Sequence, residues 1–266
     1  MYKLIIANWK MNPQKISDAG KLFNSIKNWV KQHSDICKNV KIIICPPFVY
    51  LERLSKSLKF QNSQLKLKLG AQNLFWEEKG AFTGEISSKM LKNLGVEYVI
   101  VGHSERRRIL GETDEMINKK LQAAIKEKLK PILCIGETIE ERNEGKTFRV
   151  LRNQIIKALS GFIKQPLKHP INQLLKKIII AYEPVWAIGS GNPCEPEDAK
   201  KILVFLKSIT QSLSSSFTQF PILYGGSVNS KNAKNYIEIG FDGLLIGGSS
   251  LNPKEFRLIL ESLSNL

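Results

Sequence analysis

Cysteine is sparse in this sequence, and what there is sits poorly for metal or disulfide work. Cys37, Cys45, Cys134 and Cys194 lie far apart with no C-x-x-C pair. Neither a disulfide framework nor a zinc site is indicated, and single buried or surface thiols are expected. No apolar run approaches a membrane span. The apolar stretch in the opening MYKLIIANWK is too short to be expected to serve as a signal peptide, and no small-residue cleavage site follows it. A cytoplasmic chain with no membrane partner is therefore expected. Linkers, low-complexity tracts and composition breaks are missing too, so residues 1–266 are expected to form one domain.

Acid is in short supply relative to base, with 24 Asp and Glu against 40 Lys and Arg and a formal net charge of +16. Nucleic-acid binders gather such charge on one face or groove. Here the lysines are scattered, and the longest basic run, Arg106-Arg107-Arg108, directly follows Glu105. Arginine, which bidentate phosphate or guanine recognition favours, numbers 8 against 32 lysines. The surplus reads as a solvated surface with no nucleic-acid partner, able to steer a small anion inward.

What the chain does have is a regular supply of apolar runs of strand length. They fall at 3–8, 41–46, 67–72, 96–103, 130–136, 177–183, 220–226 and 242–248. Most are continuous rather than alternating, as in strands covered on both faces. Segments of helical period lie between them. In 113–129, Met116, Ile117, Leu121, Ala124, Ile125 and Leu129 form one stripe. Asn252 followed by Pro253 reads as a helix start, and Gly95 and Gly240 sit where helices stop. Eight strand–helix units fit either a doubly wound sheet or a closed (β/α)8 barrel. No G-x-G-x-x-G turn is present. The single-domain (β/α)8 barrel is the expected α/β fold.

Polar residues follow the strands: Asn8 and Lys10, Gln72, His103 with Ser104 and Glu105, Glu137, Glu183, Ser227, and Gly247-Gly248. Parallel strands bring all those ends to one rim, where barrels build active sites. Glu183 stands out, because it ends the apolar run of IIIAYEPVWAIGSGN (178–192). Desolvating an unpaired carboxylate is costly, so Glu183 is either a paired structural acid or a base kept where water is scarce.

The segments NWKMN (8–12), GAFTGE (80–85), VGHSERR (101–107), CIGE (134–137), AYEPVWAIG (181–189), YGGSV (224–228) and GGSSL (247–251) occur in order. Together they resemble the triosephosphate isomerases over the full length. The resemblance implies interconversion of dihydroxyacetone phosphate and D-glyceraldehyde 3-phosphate through an enediolate, without metal or organic cofactor. It makes Glu183 the base, with its basicity raised in a dry site. It makes His103 a neutral electrophile beside a helix N-terminus, a known property of that family. Lys10 becomes the fixed cation and Asn8 a polarising group. Glu105 either orients Lys10 or pairs with its arginine neighbours.

Phosphate binding falls by the same resemblance to Asn8, Lys10, Gly189, Ser227, Gly247 and Gly248. Residues 184–194 become a closing lid that includes Pro184, Val185, Trp186, Ala187, Ile188, Gly189 and Ser190. Its second hinge departs from the family in Asn192-Pro193-Cys194, and Pro193 is expected to alter lid opening while sparing chemistry. The loop 70–85 is expected to join two copies into a homodimer, with Thr83, Phe82 and Trp76 at the contact. A longer connection at 161–176 is either an extra helix or a contact surface. Rival readings are a Schiff-base aldolase, a nucleic-acid binder and a catalytically weak barrel.

Overall fold

A computed structural model of the chain describes residues 2–59, 66–163, 177–212 and 220–264. The segment 164–176, most of the long connection expected to be an extra helix or a contact surface, lies outside the described residues. Eight strands close into a barrel in chain order. They are β1 (Lys3–Asn8), β2 (Val40–Cys45), β3 (Leu67–Ala71), β4 (Tyr98–Val101), β5 (Lys130–Ile135), β6 (Ile179–Tyr182), β7 (Ile222–Gly225) and β8 (Gly243–Ile246). Every neighbouring pair is parallel, including β1 with β8.

The continuous apolar runs have a physical reason. Successive side chains point to opposite faces of a strand, and here both faces are covered. One set, including Ile6, Ile43, Ile100, Ile132, Ile179 and Leu223, fills the barrel interior. The alternate set, including Ile5, Ile42, Val99, Leu133, Ile180 and Ile222, packs against the helices outside. Fully burying each such side chain is worth about 1.5–3 kcal/mol.

The outer layer comprises α1 (Ile16–Gln32), α2 (Phe48–Lys59), α3 (Ser88–Asn93), α4 (Ser104–Leu110), α5 (Asp114–Lys126), α6 (Ile139–Asn143) and α7 (Thr147–Ile163). It continues with α8 (Pro196–Ser212), α9 (Ala233–Glu238) and α10 (Pro253–Ser262). Asn252 caps α10 as expected, its Oδ1 accepting from the N–H groups of Lys254 and Glu255. Gly95 and Gly240 take positive φ just beyond α3 and α9.

Several expected boundaries move inward. The run 96–103 yields a strand only over Tyr98–Val101, because Gly102 takes φ +72 and turns the chain into α4. The helix expected over 113–129 is shorter, since Thr113 is its N-cap and Lys128 leaves it with φ +60. In both cases the residues lost are those that turn the chain off the end of an element.

Candidate active site

The barrel rim above the strand C-termini holds a cavity of about 260 Å³ lined by Asn8, Lys10, His103, Glu183, Gly189, Ser227, Gly247 and Gly248, among others. These come from β1, β4, β6, the loop after β6, and the loops after β7 and β8. Residues separated by more than two hundred positions in sequence therefore share one cleft.

Glu183 follows β6 directly and is only 5 % exposed. Glycines make room for it. A Cβ on Gly136 would sit 1.8 Å from the Glu183 carbonyl oxygen, and one on Gly225 would sit 2.9 Å from Glu183 Cγ. That is why CIGE and YGG tolerate no side chain at those points. Its Oε1 lies 3.4 Å from His103 Nε2, and the Cys134 thiol is near enough to help hold its carboxylate ionised. Its Oε2 is buried without a partner among the described residues. A second cavity of about 230 Å³, lined by Cys134, Arg107, Thr138 and Gln154, also borders Glu183. The carboxylate thus stands between two spaces.

His103 is the N-cap of α4, and its Nδ1 accepts the backbone N–H of Glu105 at 3.3 Å. An acceptor Nδ1 leaves the proton of the neutral ring on Nε2, facing Glu183. Burial alone would depress the imidazole pKa, but the Glu183 carboxylate, aided by Glu105, outweighs burial and raises it. Burial likewise acts to raise Glu183, but His103, Cys134 and Lys10 outweigh it and hold the carboxyl below its usual range. The two shifts describe one coupled pair. Burial acts in the direction expected of a dry site, and at this geometry the partners of Glu183 outweigh it.

Lys10 takes φ +52, a left-handed backbone unusual for a lysine. Two hydrogen bonds hold it there: Asn8 Oδ1 accepts from Lys10 N at 3.0 Å, and Gln72 Nε2 donates to Lys10 O at 2.7 Å. Lys10 Nζ contacts Glu105 Oε1 at 2.5 Å. The arginines beside Glu105 have other partners, Arg106 with Glu112 and Arg107 with Asp114. Of the two alternatives for Glu105, the geometry favours pairing with Lys10. A Cβ on Gly247 would meet Lys10 Cε at 3.3 Å, so the loop after β8 passes beside this lysine.

Residues 185–187 form a short 3₁₀ turn at the start of the lid. Trp186 Nε1 donates to the buried Glu137 carboxylate at 3.1 Å, as does Tyr182 Oη. The Arg142 guanidinium lies over the Trp186 ring at 4.8 Å. Burial raises the Glu137 pKa despite those donors. Across the cleft, Ser227 Oγ donates to Ala187 O at 2.6 Å and accepts from Gly191 N–H at 3.1 Å. The second hinge is fastened at Cys194, whose N–H donates to Tyr224 Oη at 3.0 Å and whose carbonyl accepts from Tyr236 Oη at 2.6 Å.

Thr83, Phe82 and Trp76 do not line this cavity. In the loop 70–85, the Phe75 ring packs at a tilt against Trp76 and Phe82, with centroids 4.1 and 4.8 Å apart. Phe82 remains 42 % exposed, and Thr83 is exposed as well. Trp76 is half-buried, with Lys119 over its ring, so it carries less of the water-exposure cost expected of it.

Sequence reading missed two contributors. Gln72 was visible as a strand-end polar residue, yet only the fold reveals that it braces Lys10. Cys134 opens the CIGE segment, but nothing in the sequence places it against Glu183. All four cysteines are buried and unpaired. Among the described residues no group of three or more His, Cys, Asp or Glu side chains could hold a metal ion.

Comparison with known proteins agrees over the whole chain. The family model described as triosephosphate isomerase matches residues 3–263. A triosephosphate isomerase of Aquifex aeolicus is 45 % identical over 264 residues, covering 98 % of this chain and all of its own. One from Alkaliphilus oremlandii is 44 % identical over 265 residues, covering 98 % of this chain and 99 % of its own. One from Dictyoglomus turgidum is 42 % identical over 266 residues, with the same coverage.

Proposed function

The chain belongs to the triosephosphate isomerase family and interconverts dihydroxyacetone phosphate and D-glyceraldehyde 3-phosphate, and we propose that Glu183 is the base that carries the proton between the two carbons. The supporting observation is that Glu183 and His103 meet at 3.4 Å in the wall of a cleft that Lys10 also lines.

With substrate in the cleft against both side chains, the Glu183 carboxylate takes a proton from C1 of dihydroxyacetone phosphate. The electron pair of that C–H bond forms the C1–C2 double bond, and charge moves to O2. His103 donates Nε2–H to O2, and Lys10 stabilises the same developing charge. The hydroxyl proton on O1 then passes to the imidazole as O1 becomes the carbonyl, and Glu183 returns its proton to C2. A substrate that occupies the Nε2–H of His103 also removes the partner that holds Glu183 down. Burial then dominates, and the base strengthens when it is needed.

Asn8 keeps Lys10 in its left-handed turn, and Glu105 fixes the ammonium. The phosphate is held by the N–H groups of Gly189, Gly247 and Gly248 and by Ser227, on loops where no Cβ blocks close approach. Residues 184–190 close over the intermediate and exclude water, which keeps the enediolate from losing phosphate.

Two copies associate through the loop 70–85. Met11 at 81 % exposure and Phe82 at 42 % are large apolar side chains that are costly to leave in water. The loop is rooted by Asn73, which accepts from the buried Lys120, itself paired with Glu112. Thr83 enters the partner near Asn8 and Lys10. Buried unpaired thiols and a glycolytic reaction fit a cytoplasmic enzyme, and no helix among the described residues is long and apolar enough to cross a membrane.

The test is a coupled assay of the purified protein beside Glu183→Asp. Shortening the side chain withdraws the base by about 1 Å and is expected to cut turnover roughly 100-fold or more with the fold intact. Near-normal turnover in that variant would remove Glu183 from this role.

A further inference from the structure

The opposite mouth of the barrel, at the strand N-termini, carries charge that the isomerase reaction does not use. Lys41, Lys68 and Lys130 each lie two residues before an interior position, namely Ile43, Gly70 and Ile132. Ile43 and Ile132 belong to the interior cluster, and a Cβ on Gly70 would meet Cys45 Sγ and Tyr98 Cβ, also interior. By the two-residue period, all three lysines rise from the inner face of the barrel's lowest layer. Lys66, just before β3, joins them: its Nζ donates to Tyr2 Oη at 2.8 Å and lies 4.3 Å from the centre of that ring.

One carboxylate serves this group. Glu97 Oε1 pairs with Lys68 at 2.8 Å, and Oε2 stands 3.7 Å from Lys130. Lys130 also lies over the Tyr98 ring at 4.8 Å. Lys41 has no carboxylate partner among the described residues and rests 5.2 Å from the centre of the Tyr2 ring. Asp242, on the same rim, accepts from Ile222 N–H between β7 and β8. Burial lowers the Lys41 pKa first, and repulsion from Lys130, Lys66 and Lys68 adds to it, with Glu97 opposing. Four clustered cations around one anion contribute little to stability and repel each other. Such a cluster is satisfied by an anion with several charges close together.

We propose that the N-terminal mouth of the barrel, at Lys41, Lys66, Lys68 and Lys130, binds a compact polyphosphate, either free or as the phosphate chain of a nucleotide. Lysine suits this ligand, because its ammonium is a point charge with three donors that meets scattered phosphate oxygens without a fixed fork. The hydroxyls of Tyr2 and Tyr98 supply neutral donors beside the cations. The inward placement on β2, β3 and β5 around one mouth favours a short flexible anion over a duplex or a bilayer, which need charge spread along a face. The site is distinct from the triose site, which lies at the other end of the same strands.

The experiment is calorimetric titration of the intact enzyme with tripolyphosphate, ATP and adenosine, alongside steady-state inhibition. Tripolyphosphate is expected to bind without competing with triose phosphate. The double variant Lys41→Ala/Lys66→Ala is expected to bind it at least about tenfold more weakly, since each lost charge-assisted contact is of that order. The variant should keep wild-type kcat/KM, and Lys41→Arg/Lys66→Arg should keep the binding, which guards against a folding defect. Equal affinity for ATP and tripolyphosphate with none for adenosine marks the phosphate chain alone as the ligand. Tighter ATP marks a nucleotide that also uses the tyrosines. The proposal is overturned if no binding occurs, if both double variants bind like wild type, or if binding is purely competitive with substrate. Competition would assign the anion to the glycine loops of the triose site. Loss of turnover in Glu183→Asp bears only on the isomerase reading and leaves this outcome free.

Discussion

The two mouths of one barrel both present lysine, and they use it differently. At the C-terminal mouth a single cation, Lys10, is fixed by a left-handed backbone, by Asn8 and Gln72, and by Glu105. At the N-terminal mouth Lys68 and Lys130 share Glu97, and Lys41 is repelled by them and by Lys66. The first arrangement has one position for its charge, and the second has a field. Catalysis needs the former, because a transition state rewards donors already in place. Loose capture of an anion needs only the latter.

This contrast predicts a hierarchy of effects. Lys10→Met should lower kcat/KM by at least about 100-fold in the coupled assay, as removal of one preorganised oxyanion partner does. Its melting temperature should barely move, because the Lys10–Glu105 pair is partly exposed and such pairs contribute little. A wild-type kcat/KM would place Lys10 with the solvated lysines. Ser227→Ala removes both of its bonds to the lid and should cost roughly 30-fold in kcat/KM, at about 1 kcal/mol per hydrogen bond. An unchanged value would mean that the tether plays no part in turnover.

Glu183→Gln tests the electrostatics rather than the rate. His103 has its pKa raised because the Glu183 charge overcomes burial. Removing that charge should therefore lower it, and the imidazole should stay neutral to a more acidic pH when followed by NMR. A rise would contradict the coupled pair. The smallest effect is expected of Pro193→Thr. Stopped-flow measurement of lid opening and product release should show a change of a few fold, about what a freed backbone angle gives, with the chemical step unaltered. Identical rates would show that the proline is incidental, with Cys194 and its tyrosine anchors setting the hinge.

Much of the architecture was legible before folding. Continuous apolar runs of strand length separated by helical stripes announced a sheet covered on both faces, and the barrel follows those runs in chain order. AYEPVWAIG and GHSER marked Glu183 and His103, and the cleft unites them. The charge was less well read. Scattered in sequence, four lysines converge at one mouth, because strands far apart in the chain become neighbours in the barrel and the two-residue period turns their side chains inward. Gln72 and Cys134 were missed for the same reason: bracing Lys10 and touching Glu183 are relations across strands, invisible along one.

The sequence by itself determined which segments become strands and helices, and where the chain must turn, because burial periodicity and glycine freedom are local properties. It also determined the chemical groups at the strand ends. Only the tertiary structure decided which of those groups face each other, how Glu183 and His103 shift one another's protonation, and where the surplus charge collects. Those are properties of distance, and distance between residues far apart in the chain exists only once the barrel has closed.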